Sequence, residues 1–239
     1  MADYEKLCRF CRAPAFATLV FLAAVPVLAA EPSPTPSASP SHAPAPLTSP
    51  SGAATQRLDA FARAWAAVTA YNATVTVFEQ KDTQVQNVVF NYAFRKPANV
   101  TVHVDSGSNA GVTLAWDGGT SVVAHRGSGL AALFKRTLSL HDPLATTIRG
   151  SSIDQLSFGA ILAHAQAEAG TLSEVPGEVI AGVPTDAVRL SSSTPAANAA
   201  LTREVVELST ITHLPVRVLG YDGETLVRRI DFSNVTLSS

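Results

Sequence analysis

The sequence predicts an α+β fold built on one large, curled antiparallel sheet with helices against one side. Three observations carry this. An apolar stripe at helical spacing opens the folded part. Runs of period-two alternation, joined by turn signals, follow it and return near the C-terminus. A block of helical character separates the two sets of strands.

The first helix is expected over residues 56–70, "QRLDAFARAWAAVTA". Leu58, Phe61, Trp65 and Val68 recur at helical spacing, alanines fill the gaps, and Asp59 lies near the start. Strands come next. "NATVTVFEQK" sets Val75 and Val77 against Thr74 and Thr76. "QVQNVVFNYAFRK" places Phe90, Tyr92, Phe94 and Lys96 on one face, and Asn91, Ala93 and Arg95 on the other. Pro97 interrupts, and alternation resumes with Val100, Val102 and Val104. "GVTLAWD" puts Val112, Leu114 and Trp116 on one face, "DGG" at 117–119 signals a tight turn, and "TSVVAH" continues. Short neighbouring strands joined by turns imply an antiparallel meander.

The middle block holds a short helical patch with Leu130, Leu133 and Phe134, then a better helix in "SSIDQLSFGAILAHAQAEAG". Ser151 or Ser152 would cap that helix and Gly170 would end it. Five strands are expected after residue 171: "GEVIAG", "TDAVRLSS", "REVVELST", "PVRVLGYDG" and "TLVRRIDFSNVTL".

Not all of the 239 residues need fold. Residues 1–30 read as an export signal: Lys6, Arg9 and Arg12 precede the uncharged run Ala13–Ala30, whose end offers small residues for cleavage. The alternative is a retained N-terminal membrane anchor. Residues 31–55 contain seven of the fifteen prolines and almost no large apolar side chain, the composition of an extended, disordered linker. Residues 56–239 are then one domain. An exported, periplasmic or otherwise extracytoplasmic location follows from the signal.

Both cysteines lie in "CRFC", ahead of the apolar run, where neither a redox motif nor a zinc site has its structural context. Outside residues 1–30 the chain carries 14 Lys and Arg against 17 Asp and Glu, and no basic stripe is interleaved with aromatics. Nucleic acid is therefore excluded as a partner, and a monomer is expected. No HExxH, Walker loop, GxGxxG or GxSxG occurs. No metal, cofactor or catalytic group is assigned, and the chain is read as a non-enzyme.

The order of motifs resembles the LolA-like periplasmic lipoprotein carriers. "RLDAFARAWAAVTAYNATVTVFEQK", "FRKPANVTVHV" and "GVTLAWDGGTSVVAH" are similar to that superfamily's opening elements, and "REVVELSTITHLPVRVLGYDGETLVRRIDFSNVTL" to its closing strands. The resemblance spans roughly residues 57–238. It implies an open, strongly curved antiparallel half-barrel, with helices covering a concave face that binds acyl chains of lipid or lipoprotein. On this implication the ligand-binding wall is Val75, Val77, Phe90, Tyr92, Phe94, Val102, Leu114 and Trp116, joined by Leu133 and Phe134 from the helical patch. Lys96 aligns with a functionally important arginine of the family; as a lysine it lacks the bidentate fork. It is placed to meet a lipid head group or lid carbonyls, or simply to snorkel from the sheet edge. The alternative function is a non-transport envelope binding or sensor module on the same scaffold, whose partner is an envelope membrane protein.

Overall fold

The computed structural model describes residues 52–127, 134–168, 171–192, 194–195 and 198–238. The signal, most of the linker, Leu130, Leu133 and Gly170 lie outside the described residues.

Helix α1 (Gly52–Ala67) starts four residues before the expected helix and ends three before its expected end. It buries Leu58 and Phe61. Arg57 ties it to the far end of the sheet, reaching Asp186 at 2.6 Å and Glu174 at 3.2 Å.

Six strands follow: β1 (Ala70–Lys81), β2 (Gln84–Arg95), β3 (Asn99–Ser106), β4 (Val112–Trp116), β5 (Ser121–Arg126) and β6 (Arg136–Ser139). The expected helical patch is corrected at its described end. Phe134 and Lys135 are coil, and the chain enters β6 directly. Arg136–Ser139 pair with β5 and Leu138 is buried, so the residues after Lys135 follow strand pairing and not a helix.

The middle helix is also corrected. It is a 3₁₀ turn (Ile153–Leu156) and then helix α2 (Phe158–Ala167), broken at Ser157. Ser157 is extended, and its Oγ accepts from Ala160 N at 3.1 Å, so it caps α2. Serine competes for backbone donors in this way, which is why it interrupts rather than continues a helix. Ser152 opens the 3₁₀ turn, its N–H donating to Gln155 Oε1 at 3.2 Å.

The second strand set is β7 (Ser173–Val175), β8 (Val179–Ile180), β9 (Val183–Ser191), β10 (Arg203–Ser209), β11 (Pro215–Asp222) and β12 (Thr225–Ser238). The short β7 has no alternation long enough to predict it. The order across the sheet is β6-β5-β4-β3-β2-β1-β12-β11-β10-β9-β7, with β8 paired to β9. All pairings are antiparallel, and β6 and β7 form unjoined edges. The described residues therefore form an open, curved half-barrel of α+β class with two α-helices among them.

One face of this sheet is covered by the helices. On β1 it carries Tyr71, Ala73, Val75, Val77 and Glu79; on β2, Val88, Phe90, Tyr92 and Phe94; on β3, Val100, Val102 and Val104. Apart from Glu79, these side chains merge with Phe61, Ile153, Leu156, Phe158, Ile161 and Leu162 in one apolar core. Burying a large side chain of this kind contributes about 2 kcal/mol.

Candidate functional site

The expected wall is a single surface. Val75, Val77, Phe90, Tyr92, Phe94, Val102 and Leu114 are buried on the covered face, and half-buried Trp116 packs against them. Strand register explains this: Val75 pairs with Phe90, Phe94 with Val100, Tyr92 with Val102, and Val102 with Leu114.

The wall is not bare. Phe158, at the start of α2, stacks on Tyr71 with ring centroids 4.3 Å apart and planes within 4°. Trp65 of α1 lies 5.3 Å from Phe94 and 6.2 Å from Tyr71. The covering segment, residues 146–168, thus fills the space above the aromatics with its own side chains. An apolar cleft of about 70 Å³ remains beside it, bounded by Val77, Val88, Phe90, Val102, Val104 and Leu156.

Lys96 is engaged by α1. Its Nζ donates to Trp65 O at 2.7 Å and Ala66 O at 3.3 Å, and lies 4.4 Å from the Trp65 ring centroid. Of the readings left open by sequence, the structure shows contact with carbonyls of a covering helix. A cation there satisfies carbonyls at the helix C-terminus and complements its dipole. Phe134 is 83% exposed and joins neither the core nor the cleft.

Polar staples hold the covering segment to the sheet. Tyr92 Oη donates to Ile153 O at 3.1 Å, and Tyr71 Oη accepts from Phe158 N at 3.3 Å. Burial pushes both phenols well above their ordinary range, so both stay protonated. Gln86 Oε1 accepts from Ile148 N at 3.0 Å. Glu79, fully buried, accepts from Ser151 Oγ at 3.1 Å and Arg149 N at 3.0 Å.

Glu79 belongs to a polar rung that sequence reasoning missed. Strand pairing sets Gln86, Glu79, Arg228, Gly220 and Glu204 side by side on β2, β1, β12, β11 and β10. A Cβ at Gly220 would stand 3.2 Å from Arg228 Cβ and 3.0 Å from both Leu201 methyl carbons. Its absence leaves room for Arg228 to cross β11 and bind Glu204. His164 of α2 bonds the other Glu204 oxygen, which also accepts from Asn198 Nδ2 at 2.9 Å. Burial alone would raise the Glu204 carboxyl, but His164, Arg228 and Asn198 outweigh it and hold it at about 2. The hydrogen bond to Glu204 in turn raises His164.

A chamber of about 390 Å³ opens over this rung, between the sheet and the covering segment. One signal was available in the sequence. Glu79 occupies an inward position of an alternating strand, where a carboxylate demands partners. Its partners lie 70 or more residues away and are visible only once the segment carrying Arg149 and Ser151 is laid over β1.

No family model and no curated protein matches this sequence. Solved structures of similar fold exist. An uncharacterised conserved protein from Thermus thermophilus shares 10% identity, with a TM-score of 0.48 over 78% of this chain and 88% of that one. A putative outer membrane lipoprotein-sorting protein domain from Vibrio parahaemolyticus shares 12%, at 0.40 over 78% and 94%. A LolA superfamily protein from Nitrosomonas europaea shares 10%, at 0.35 over 78% and 94%. The structural neighbours of this chain thus include LolA superfamily and lipoprotein-sorting folds.

Proposed function

We propose that this is an extracytoplasmic, non-catalytic binding or carrier domain for lipid, lipoprotein acyl chains or another apolar ligand. The ligand is held between the aromatic face and the segment 146–168. The observation that carries this reading is how that segment is attached. It lies on a continuous apolar wall through packed side chains, Ile153, Leu156, Phe158, Ile161 and Leu162 among them, and through side-chain hydrogen bonds, with no strand pairing to the wall beneath it among the described residues. A cover of this kind can lift and let acyl chains replace its own side chains, because both make equivalent apolar contacts.

Native mass spectrometry of the protein from its own cell envelope tests this. Bound lipid that is lost on delipidation and regained on incubation with lipid is expected. A bare chain that takes up no lipid after delipidation overturns the reading.

A second reading, a sensor that docks an envelope membrane protein, draws on a different surface. An apolar groove of about 510 Å³ runs between Ile180, Val183, Leu214, Val216, Val235 and Leu237. Val179 and Ile211, two of the most exposed large apolar side chains, lie within two residues of its lining. Exposed apolar patches of this sort mark association surfaces. Binding of a membrane-protein domain that Leu237→Glu abolishes, with no bound lipid, would favour it.

A further inference from the structure

The chamber over the polar rung has a composition that the apolar reading does not use. About half its lining is aliphatic, from Leu156, Ile161, Val206, Val218 and Ile230. The rest is charged or polar, with Arg149, Arg228, His164 and Glu204 foremost. Glu79 stands behind Ser151 and is not on the lining. The lining therefore presents two guanidinium groups and an imidazole against one carboxylate.

Arg149 is the informative residue. Its Nη1 donates to Gln80 O at 2.8 Å and its Nη2 to Ala199 O at 2.6 Å. Among the described residues, no carboxylate lies within 4.0 Å of its guanidinium. A guanidinium at the chamber wall with no carboxylate partner favours an oxygen anion, which supplies the missing negative charge through charge-assisted hydrogen bonds.

The chamber also adjoins the apolar cleft: Ser151 and Leu156 line both. We propose that it is a head-group pocket, taking the carboxylate or phosphate oxygens of an amphipathic acyl ligand at Arg149 and Arg228. The chain of that ligand passes Leu156 into the cleft beneath Phe90. This assignment rests on the acyl-binding reading and adds to it a charge requirement and a direction of entry.

Displacement of a fluorescent acyl probe from the delipidated protein tests it, with decanoate, decyl phosphate and decanol as competitors and inorganic phosphate as a fourth arm. Either anionic amphiphile should displace the probe at a concentration at least about tenfold below that of decanol, since a charge-assisted bond contributes roughly 1.5–3 kcal/mol. Whichever anion is stronger identifies the head group. Arg149→Gln should collapse the ratio of anion to alcohol towards one. The wild-type ratio needs no variant, so the test survives if Arg149→Gln fails to fold. Equal displacement by all three alkyl compounds overturns the head-group pocket and leaves acyl binding standing. Failure of the probe and all three to bind overturns acyl binding itself. Inorganic phosphate binding as tightly as decyl phosphate shows an anion site with no chain requirement, and contradicts the proposal. A folded Arg149→Gln protein with an unchanged ratio contradicts the role of Arg149.

Discussion

At the scale of single residues, the Glu204–His164 pair joins the covering helix to the sheet, and its energetics depend on pH in a definite direction. Glu204 is lowered in the folded protein from 4.5 to about 2. Its contribution is present above about 4.5 and is lost as pH falls towards 2. His164 is raised from 6.5, so its contribution is complete below 6.5 and is lost as pH rises through the raised value. Together they place the pair's greatest contribution between those two reference values. Arg228, Asn198 and Glu168 surround the pair and shape it. His164→Gln keeps a donor without the titration, so its melting temperature should lack the alkaline decline of the wild type. Identical pH profiles of melting temperature would refute this linkage. Glu79→Leu is a second residue-scale case. It leaves Arg149 N and Ser151 Oγ without their acceptor and should cost about 1–3 kcal/mol in urea unfolding. The parity of Phe90, Tyr92 and Phe94 was legible because a strand repeats every two residues. The rung through Glu79, Arg228 and Glu204 was not, because register between strands far apart in sequence creates it.

At the scale of elements, the contact between α1 and α2 turns on Gly159. A Cβ there would stand 3.0 Å from two Trp65 ring atoms. Alanine requires a shift of a few tenths of an ångström, whereas leucine must push the helices apart. Gly159→Leu should speed amide hydrogen exchange across Phe158–Ala167 while leaving β1 and β2 protected. Uniform loss of protection would show that α2 is integral core instead of a separable cover. The broken helix at Ser157 marks a limit of sequence reasoning. Apolar residues lie on both sides of the break, Ile153 and Leu156 before it and Ile161 and Leu162 after it, and the departure from a helix is fixed by the Ser157 cap together with the tyrosine hydroxyls that bond Ile153 O and Phe158 N. The strand β6 was missed for a related reason: four residues are too few to establish a period.

At the scale of the whole molecule, the chain forms two antiparallel meanders joined where β1 meets β12. Strand β12 is therefore central, and the first meander cannot complete the sheet without it. Ending the chain after Glu224 removes β12 and should abolish cooperative unfolding followed by circular dichroism, not merely fray an edge. The covered face is correspondingly of two kinds. Its aromatic part lies on β1–β4, and its charged rung crosses from β2 to β10, so a ligand lying along it meets hydrocarbon and charge in succession. A photoreactive acyl probe, cross-linked to the delipidated protein and mapped by mass spectrometry, tests the central claim most directly. The account predicts saturable labelling confined to Val88–Phe94 and to Ile153–Leu162, competed by unlabelled fatty acid. Labelling that does not saturate, or that maps to the groove at Val179 and Leu237, would contradict it.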